Sequence, residues 1–318
     1  MSLLVLTEHD VEELLDLDEL REAVASAMAD LSAGRASMPP RVAALVDSKR
    51  ALLGAMPAYL PSAGALTTKL VTLFPDNADR PTHQAVIVAF DAETGTPLAL
   101  MDGTHVTATR TAAGSALATG LLARDDSRVL AILGTGVQAR THGRAIPRVR
   151  AIEEIRVAGR SREKAEALAE GLGPAARAVG SYEEALAGAD VVAAATHAEE
   201  PVVRREWLSP GTHVNSVGLN PTGREVDDAT VAEARLVVES RASALAPPPA
   251  GSPDLAGVPP ERVHAELGEL VSGARPGRAS PDEITLYKSV GVAVQDAAAA
   301  ALVLARARER GVGVEVEL

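Results

Sequence analysis

Two basic residues stand in apolar company, Lys69 in LTTKLVTLF and Arg110 in THVTATRTAAGSALATGLLA. A strand lysine aimed into a pocket can hold a carboxylate, or be tuned by burial into a proton donor. An arginine opening a small, apolar helix needs a partner, and a bidentate clamp on a substrate carboxylate is one. On the local sequence, an exposed strand lysine and a helix-start salt bridge explain the same two residues equally well. Only four of the 31 basic residues are lysine (Lys49, Lys69, Lys164 and Lys288), which gives a lysine in an apolar strand added weight. Arg41, after MPP, reads locally as structural. Thr82, in RPTHQAVIV, offers a hydroxyl in a turn, where threonine seldom needs a functional explanation.

A second chemistry is written in LAILGTGVQARTH, where Gly134 and Gly136 end an apolar strand and open a helix through Val137 and Gln138. The first glycine permits a tight turn, and the second lets the backbone close on a pyrophosphate at the positive helix end. Ala139 fills the third position of the fingerprint. Alone the motif is weak, but a strand before it, a helix after it and a second strand ending at residue 160 predict a dinucleotide site. That second strand ends AGRSREK, with no acid before Glu163 to hold ribose hydroxyls. Arg160, Ser161 and Arg162 offer a guanidinium fork and a hydroxyl to a 2′-phosphate, which predicts NADP(H) in preference to NAD(H). Read only as solvated helix-start residues, they leave the cofactor open. Thr196, ending DVVAAAT, joins the expected cofactor-binding residues. In VNSVGLNPTGREVD, Asn220 tips a turn-rich loop, and an amide cannot accept and return a proton at ordinary pH.

The elements that must position these residues fall into two rhythms. The first third has a helical opening, DVEELLDLDELREAVASAMADLSAG, then strand-like RVAALVD, LTTKLVTLF and QAVIVAFDAETGTPLALMD, whose DAETG is a hairpin signal. This predicts an α+β domain with antiparallel pairing. From residue 128, short β-branched runs alternate with helical patterns, the signature of a doubly wound parallel α/β sheet. LAPPPAGSPDLAGVPP (245–260) is a Pro-rich connection, and GVAVQDAAAAALVLARARER ends the chain as an Ala-rich helix.

Composition narrows the function classes. The 318 residues, 47% hydrophobic, suffice for about two domains. Zero cysteines exclude disulfides, thiolate metal sites and cysteine nucleophiles, and the seven histidines show no metal-ligand spacing, so no metal is expected. A formal net charge of -12 disfavours nucleic acid. No apolar run approaches a membrane span, and MSLLVLTEHDVEELL turns acidic too early for a secretory signal, so a cytoplasmic protein is expected.

RVAAL, TTKLVTLFPDN, ATRTAAGSALA, ILGTGVQARTH, VAGRSREKA, WLSPGTHVNSVG and LYKSVGVAVQD, in this order, make the sequence similar to the ornithine cyclodeaminase/μ-crystallin family over nearly its whole length. The resemblance implies an α+β substrate-binding and dimerisation domain (1–124 with 293–318), a Rossmann domain (125–292) and a homodimer formed through the former. It implies that Lys69 and Arg110 hold the substrate near the nicotinamide, with Arg41 and Thr82 lining the same pocket. Gly134, Gly136, Val137 and Gln138 match the dinucleotide turn, and Ser289, Val290 and Gly291 the segment returning beside the nicotinamide ring. Lys288, just before that segment, reads as a surface charge. One departure stands out: cyclodeaminases and alanine dehydrogenases of the family carry an aspartate where this sequence has Asn220.

The missing aspartate and the Arg-Ser-Arg strand end together favour an NADPH-dependent imine or ketimine reductase. Its substrate would be a small α-imino acid, with cyclic pyrroline or piperideine carboxylates as examples. Arg110 and Arg41 would grip the carboxylate, Lys69 would hydrogen-bond or protonate the substrate, and Asn220 would orient it. Two alternatives stay open: a cyclodeaminase-type lyase or alanine-type dehydrogenase using Asp227 or Asp228, and an NADPH-binding protein with little catalysis.

Overall fold

The computed structural model describes residues 2–218, 220, 222–247 and 250–317. In chain order the elements are β1 (Ser2–Leu6), α1 (Glu8–Leu14), α2 (Leu17–Ser32), β2 (Val42–Val46), β3 (Ala51–Leu60), β4 (Ala65–Leu73), β5 (His83–Phe90), β6 (Pro97–Asp102) and α3 (Thr104–Leu122). There follow β7 (Val129–Leu133), α4 (Val137–Ala145), β8 (Glu154–Ala158), α5 (Arg162–Leu172), β9 (Ala176–Ala178), α6 (Tyr182–Leu186), β10 (Val191–Ala194) and β11 (His213–Ser216). The rest are α7 (Asp228–Glu233), β12 (Arg235–Val238), α8 (Arg241–Ala244), β13 (Ala265–Glu266), α9 (Leu267–Val271), β14 (Thr285–Lys288), α10 (Ala293–Arg310) and β15 (Val314–Glu317). They form two compact units, Met1–Arg110 with Val292–Leu318, and Thr111–Gly291. The first boundary falls inside α3 rather than after it.

Unit 1 is built on a seven-stranded sheet ordered β15-β1-β6-β5-β4-β3-β2. Its pairs are antiparallel except β1 with β6, and β5 and β6 form the hairpin that DAETG announces. The helical opening divides because Leu15 and Asp16 are extended: Thr7 and Asp10 make a capping box for α1, and the Asp16 carboxylate caps α2. Helix α10 lies against β3, β4 and α2. Its run of buried small residues, Ala293 and Ala297 to Ala300, lets the helix backbone come close to the sheet. Along β4 the alternation puts Ala65, Thr67 and Lys69 on the buried face, as period-two geometry requires.

Unit 2 is an eight-stranded parallel sheet ordered β13-β12-β14-β11-β10-β7-β8-β9. This is the doubly wound arrangement, and its order reverses between β7 and β10, where such sheets bind nucleotides at the carboxyl ends of their strands. The cores on either side are dominated by Val, Ile, Leu and Ala of the central strands. Among the described residues, no helix is long and apolar enough to cross a membrane.

Candidate active site

In unit 1, three elements bring two cations onto one carboxylate. Lys69 projects from β4, Arg110 from α3 and Asp296 from the first turn of α10, and all three are buried. Lys69 Nζ donates to Asp296 Oδ1 at 2.9 Å and to Thr107 Oγ1 at 3.3 Å. Arg110 Nε donates to the same Oδ1 at 2.9 Å, and its Nη1 to Gln295 Oε1 at 2.9 Å. Burial, with the Arg110 and Arg41 cations acting in the same direction, pushes the Lys69 ammonium down to about 8 against the pull of Asp296. Burial opposes ionisation of Asp296, but Arg110 and Lys69 outweigh it and hold the carboxyl below its usual range. Two buried cations against one carboxylate leave a surplus of positive charge, and low dielectric makes that surplus costly until an anion joins. A substrate carboxylate is such an anion.

The resemblance to the family points to Lys69 and Arg110; Asp296, which joins them, is absent from that reading. A signal existed, since Asp296 is the sole acid of α10 before Glu309. Arg41 precedes β2 and lies near enough to Lys69 to depress its titration. Thr82 is exposed just before β5, and its carbonyl accepts from Phe74 N at 2.8 Å.

In unit 2 the glycine turn has the form a dinucleotide needs. Gly134 adopts φ +112°, and a Cβ there would lie 2.4 Å from Ala195 O, so no other residue fits. A Cβ on Gly136 would meet nothing within 4 Å, which leaves open space against the main chain. Gly136 caps α4 without a side-chain bond, so the first amides of the helix stay available to a pyrophosphate. Val137 is exposed at the helix start, Gln138 is half-buried beside it, and Ala139 packs in the core. Ser161 caps α5, accepting from Lys164 N at 3.3 Å. Arg160 and Arg162 are exposed, and Arg162 pairs with Glu166 at 2.8 Å. Such exposed pairs are worth about 0–1 kcal/mol, so Arg162 can exchange its partner for a phosphate.

Two buried carboxylates that sequence reasoning missed set the loops at the strand ends. Glu239, just after β12, accepts from Ser289 Oγ (2.7 Å), Val290 N (2.7 Å) and Gly291 N (3.1 Å), fixing the whole 289–291 segment. Glu225 Oε1 accepts from Thr196 N (2.7 Å) and Oγ1 (2.8 Å), while its Oε2 accepts from Ser216 Oγ (2.7 Å) and Gly218 N (2.8 Å). The Thr196 hydroxyl is thus already engaged. Lys288 is not a surface charge: it is fully buried, donating to Ser216 Oγ (2.9 Å) and Gly218 O (2.8 Å) and pairing with Asp254 Oδ2 at 2.9 Å. Desolvation forces a buried ammonium to find such partners, and here they come from two separate stretches of chain, the end of β11 with the residues after it and the segment around Asp254.

Asn220 closes its own loop. Its Nδ2 donates to Ala198 O at 3.0 Å, and its Oδ1 accepts from Thr222 N and Oγ1 at 3.2 Å each. The nearby acids are also engaged. Asp227 caps α7 through Thr230 N at 2.9 Å, and Asp228 pairs with Arg224 at 2.6 Å.

The sequence profile of the Ornithine cyclodeaminase/mu-crystallin family matches residues 1–311. The chain belongs to this family. It is 42% identical to the mouse (Mus musculus) ketimine reductase mu-crystallin over 269 residues, 84% of each protein. The structure of Thermococcus litoralis Δ1-pyrroline-2-carboxylate reductase, in complex with NADH and L-proline, matches with a TM-score of 0.93 and 40% identity, over 99% of this chain and 100% of that one. An archaeal alanine dehydrogenase dimer with bound NAD matches at 0.92 and 34% identity over the whole of both chains. The chain is therefore an oxidoreductase of the family, dependent on a nicotinamide cofactor and acting on C–N bonds.

Proposed function

We propose that the protein reduces a cyclic α-imino acid, a pyrroline or piperideine carboxylate, to the corresponding cyclic amino acid with NADPH. The observation that carries this reading is the surplus of buried positive charge around Lys69, Asp296 and Arg110, a site for a small carboxylate. Arg110, with Arg41, holds the carboxylate, and Lys69 hydrogen-bonds or protonates the substrate. When bound, the nicotinamide supplies the hydride to the imine carbon, and the nitrogen keeps one proton, so C=N becomes CH–NH. A preformed iminium needs no strong base, consistent with Asn220 folded into its loop and with Asp227 and Asp228 tied to a helix cap and an arginine. Those engagements weigh against a cyclodeaminase-type lyase or an alanine-type dehydrogenase.

The preference for NADPH rests on Arg160, Ser161 and Arg162 at a strand end without an acid. The reading also includes a homodimer. The outer face of the unit 1 sheet exposes Val42, Val46, Leu53, Tyr59 and Val86 together, an apolar patch of the kind that marks an interface. The same reading places the enzyme in the cytoplasm. The purified protein, given NADPH or NADH with a panel of cyclic ketimines, should lose nicotinamide absorbance fastest with NADPH. No turnover across the panel, or turnover with NADH alone, would defeat the substrate or the cofactor assignment respectively. Tight NADPH binding without turnover, unaffected by Lys69→Ala, would make the protein a cofactor binder instead.

A further inference from the structure

One imidazole near the carboxylate site has no assigned role. His83 opens β5, and the register pairs Leu73 with His83, Val71 with Ala85 and Lys69 with Ile87. His83 thus shares the inner face of the sheet with Lys69, four residues further along the strand pair, roughly 13 Å between backbone positions. The ring is half-buried, and neither nitrogen has a hydrogen-bond partner among the described residues. A polar ring turned to the same face as two buried cations, and close enough for both to act on it, is placed to meet the ligand they hold.

We propose that His83 contacts the substrate, its imidazole accepting a hydrogen bond from the ring nitrogen of the imino acid and of the amino acid formed from it. This rests on the cyclic imino acid reading above. The cations hold the carboxylate, the nitrogen sits one carbon away, and the span along the sheet leaves room for a five- or six-membered ring. In a pocket already carrying Lys69 and Arg110, a protonated nitrogen needs an acceptor that is not itself a cation. Burial, then the Lys69 and Arg110 cations, push the imidazole down to about 4 against the pull of Asp296, so it is neutral with a lone pair free at physiological pH. His83 would favour the protonated imine, the form that accepts hydride, by holding its N–H.

The test compares two ring carboxylates by calorimetry on the full-length protein saturated with NADP+: L-proline, which carries the nitrogen, and cyclopentanecarboxylate, which does not. Wild type should prefer L-proline by on the order of ten- to a hundredfold, the range for a hydrogen bond to a charged group. His83→Leu should bring the two ligands within about threefold while leaving NADPH affinity unchanged, and His83→Gln, which keeps an acceptor, should restore part of the preference. If the preference survives intact in a folded His83→Leu protein, His83 does not touch the nitrogen. If wild type binds neither ligand, the carboxylate-site reading itself fails.

Discussion

One oxygen, Asp296 Oδ1, accepts from both Lys69 Nζ and Arg110 Nε, each at 2.9 Å. The carboxylate is therefore what allows two cations from different elements to share a buried space. Asp296→Asn should leave them facing each other uncompensated, costing about 3–5 kcal/mol. Calorimetry or thermal fluorescence should show the melting temperature falling by on the order of 10 °C. A fall within 2 °C would mean that the cations find other partners.

Lys69 gives a pH signature. Its ammonium is held down to about 8, so it is protonated below that pH and loses its proton above it. In the unfolded chain it would titrate near its ordinary 10.5. Its contribution to stability therefore rises with pH between about 8 and 10.5, where only the unfolded state binds the proton. Activity should run the other way: kcat/KM should fall above about pH 8 as the cation is lost. Lys69→Arg stays charged, and its residual activity should lack that alkaline limb. A limb unchanged in Lys69→Arg would assign it to the substrate.

Glu239 should matter for the cofactor. Glu239→Gln keeps one acceptor but turns an amide toward the N–H groups of Val290 and Gly291. If the 289–291 segment lines the nicotinamide, NADPH binding measured by fluorescence titration should weaken about tenfold, the scale of a lost charge-assisted bond. Unchanged affinity would detach this segment from the cofactor.

Asn220→Asp would put a titratable group where the amide now donates to Ala198 O. The pH dependence of turnover should change more than cofactor affinity does. The reverse result would assign this loop to the cofactor.

Both units follow from local patterning, because alternation in the first third and β-branched runs after residue 128 are properties of short windows. Strand β3 escaped because Gly54 and Pro57 interrupt its pattern, although its pairing with β4 runs from Leu52 to Leu60. Lys288 and Glu239 escaped for another reason. Each looks like an ordinary polar strand end, and its burial is decided by partners many residues away, Asp254 and Ser216 in one case and Ser289 to Gly291 in the other. In RPTHQAVIV the turn drew notice to Thr82, while strand parity turned its neighbour His83 inward.

Unit 1 is made of two stretches of chain with the whole of unit 2 between them, and Asp296 comes from the second stretch. On the ribosome, Lys69 and Arg110 emerge more than 180 residues before their counterion does. Until α10 is synthesised the first stretch has two cations to bury and nothing to neutralise them, so it has reason to stay open while the parallel sheet folds. The later stretch would then lock the domain that the earlier one began.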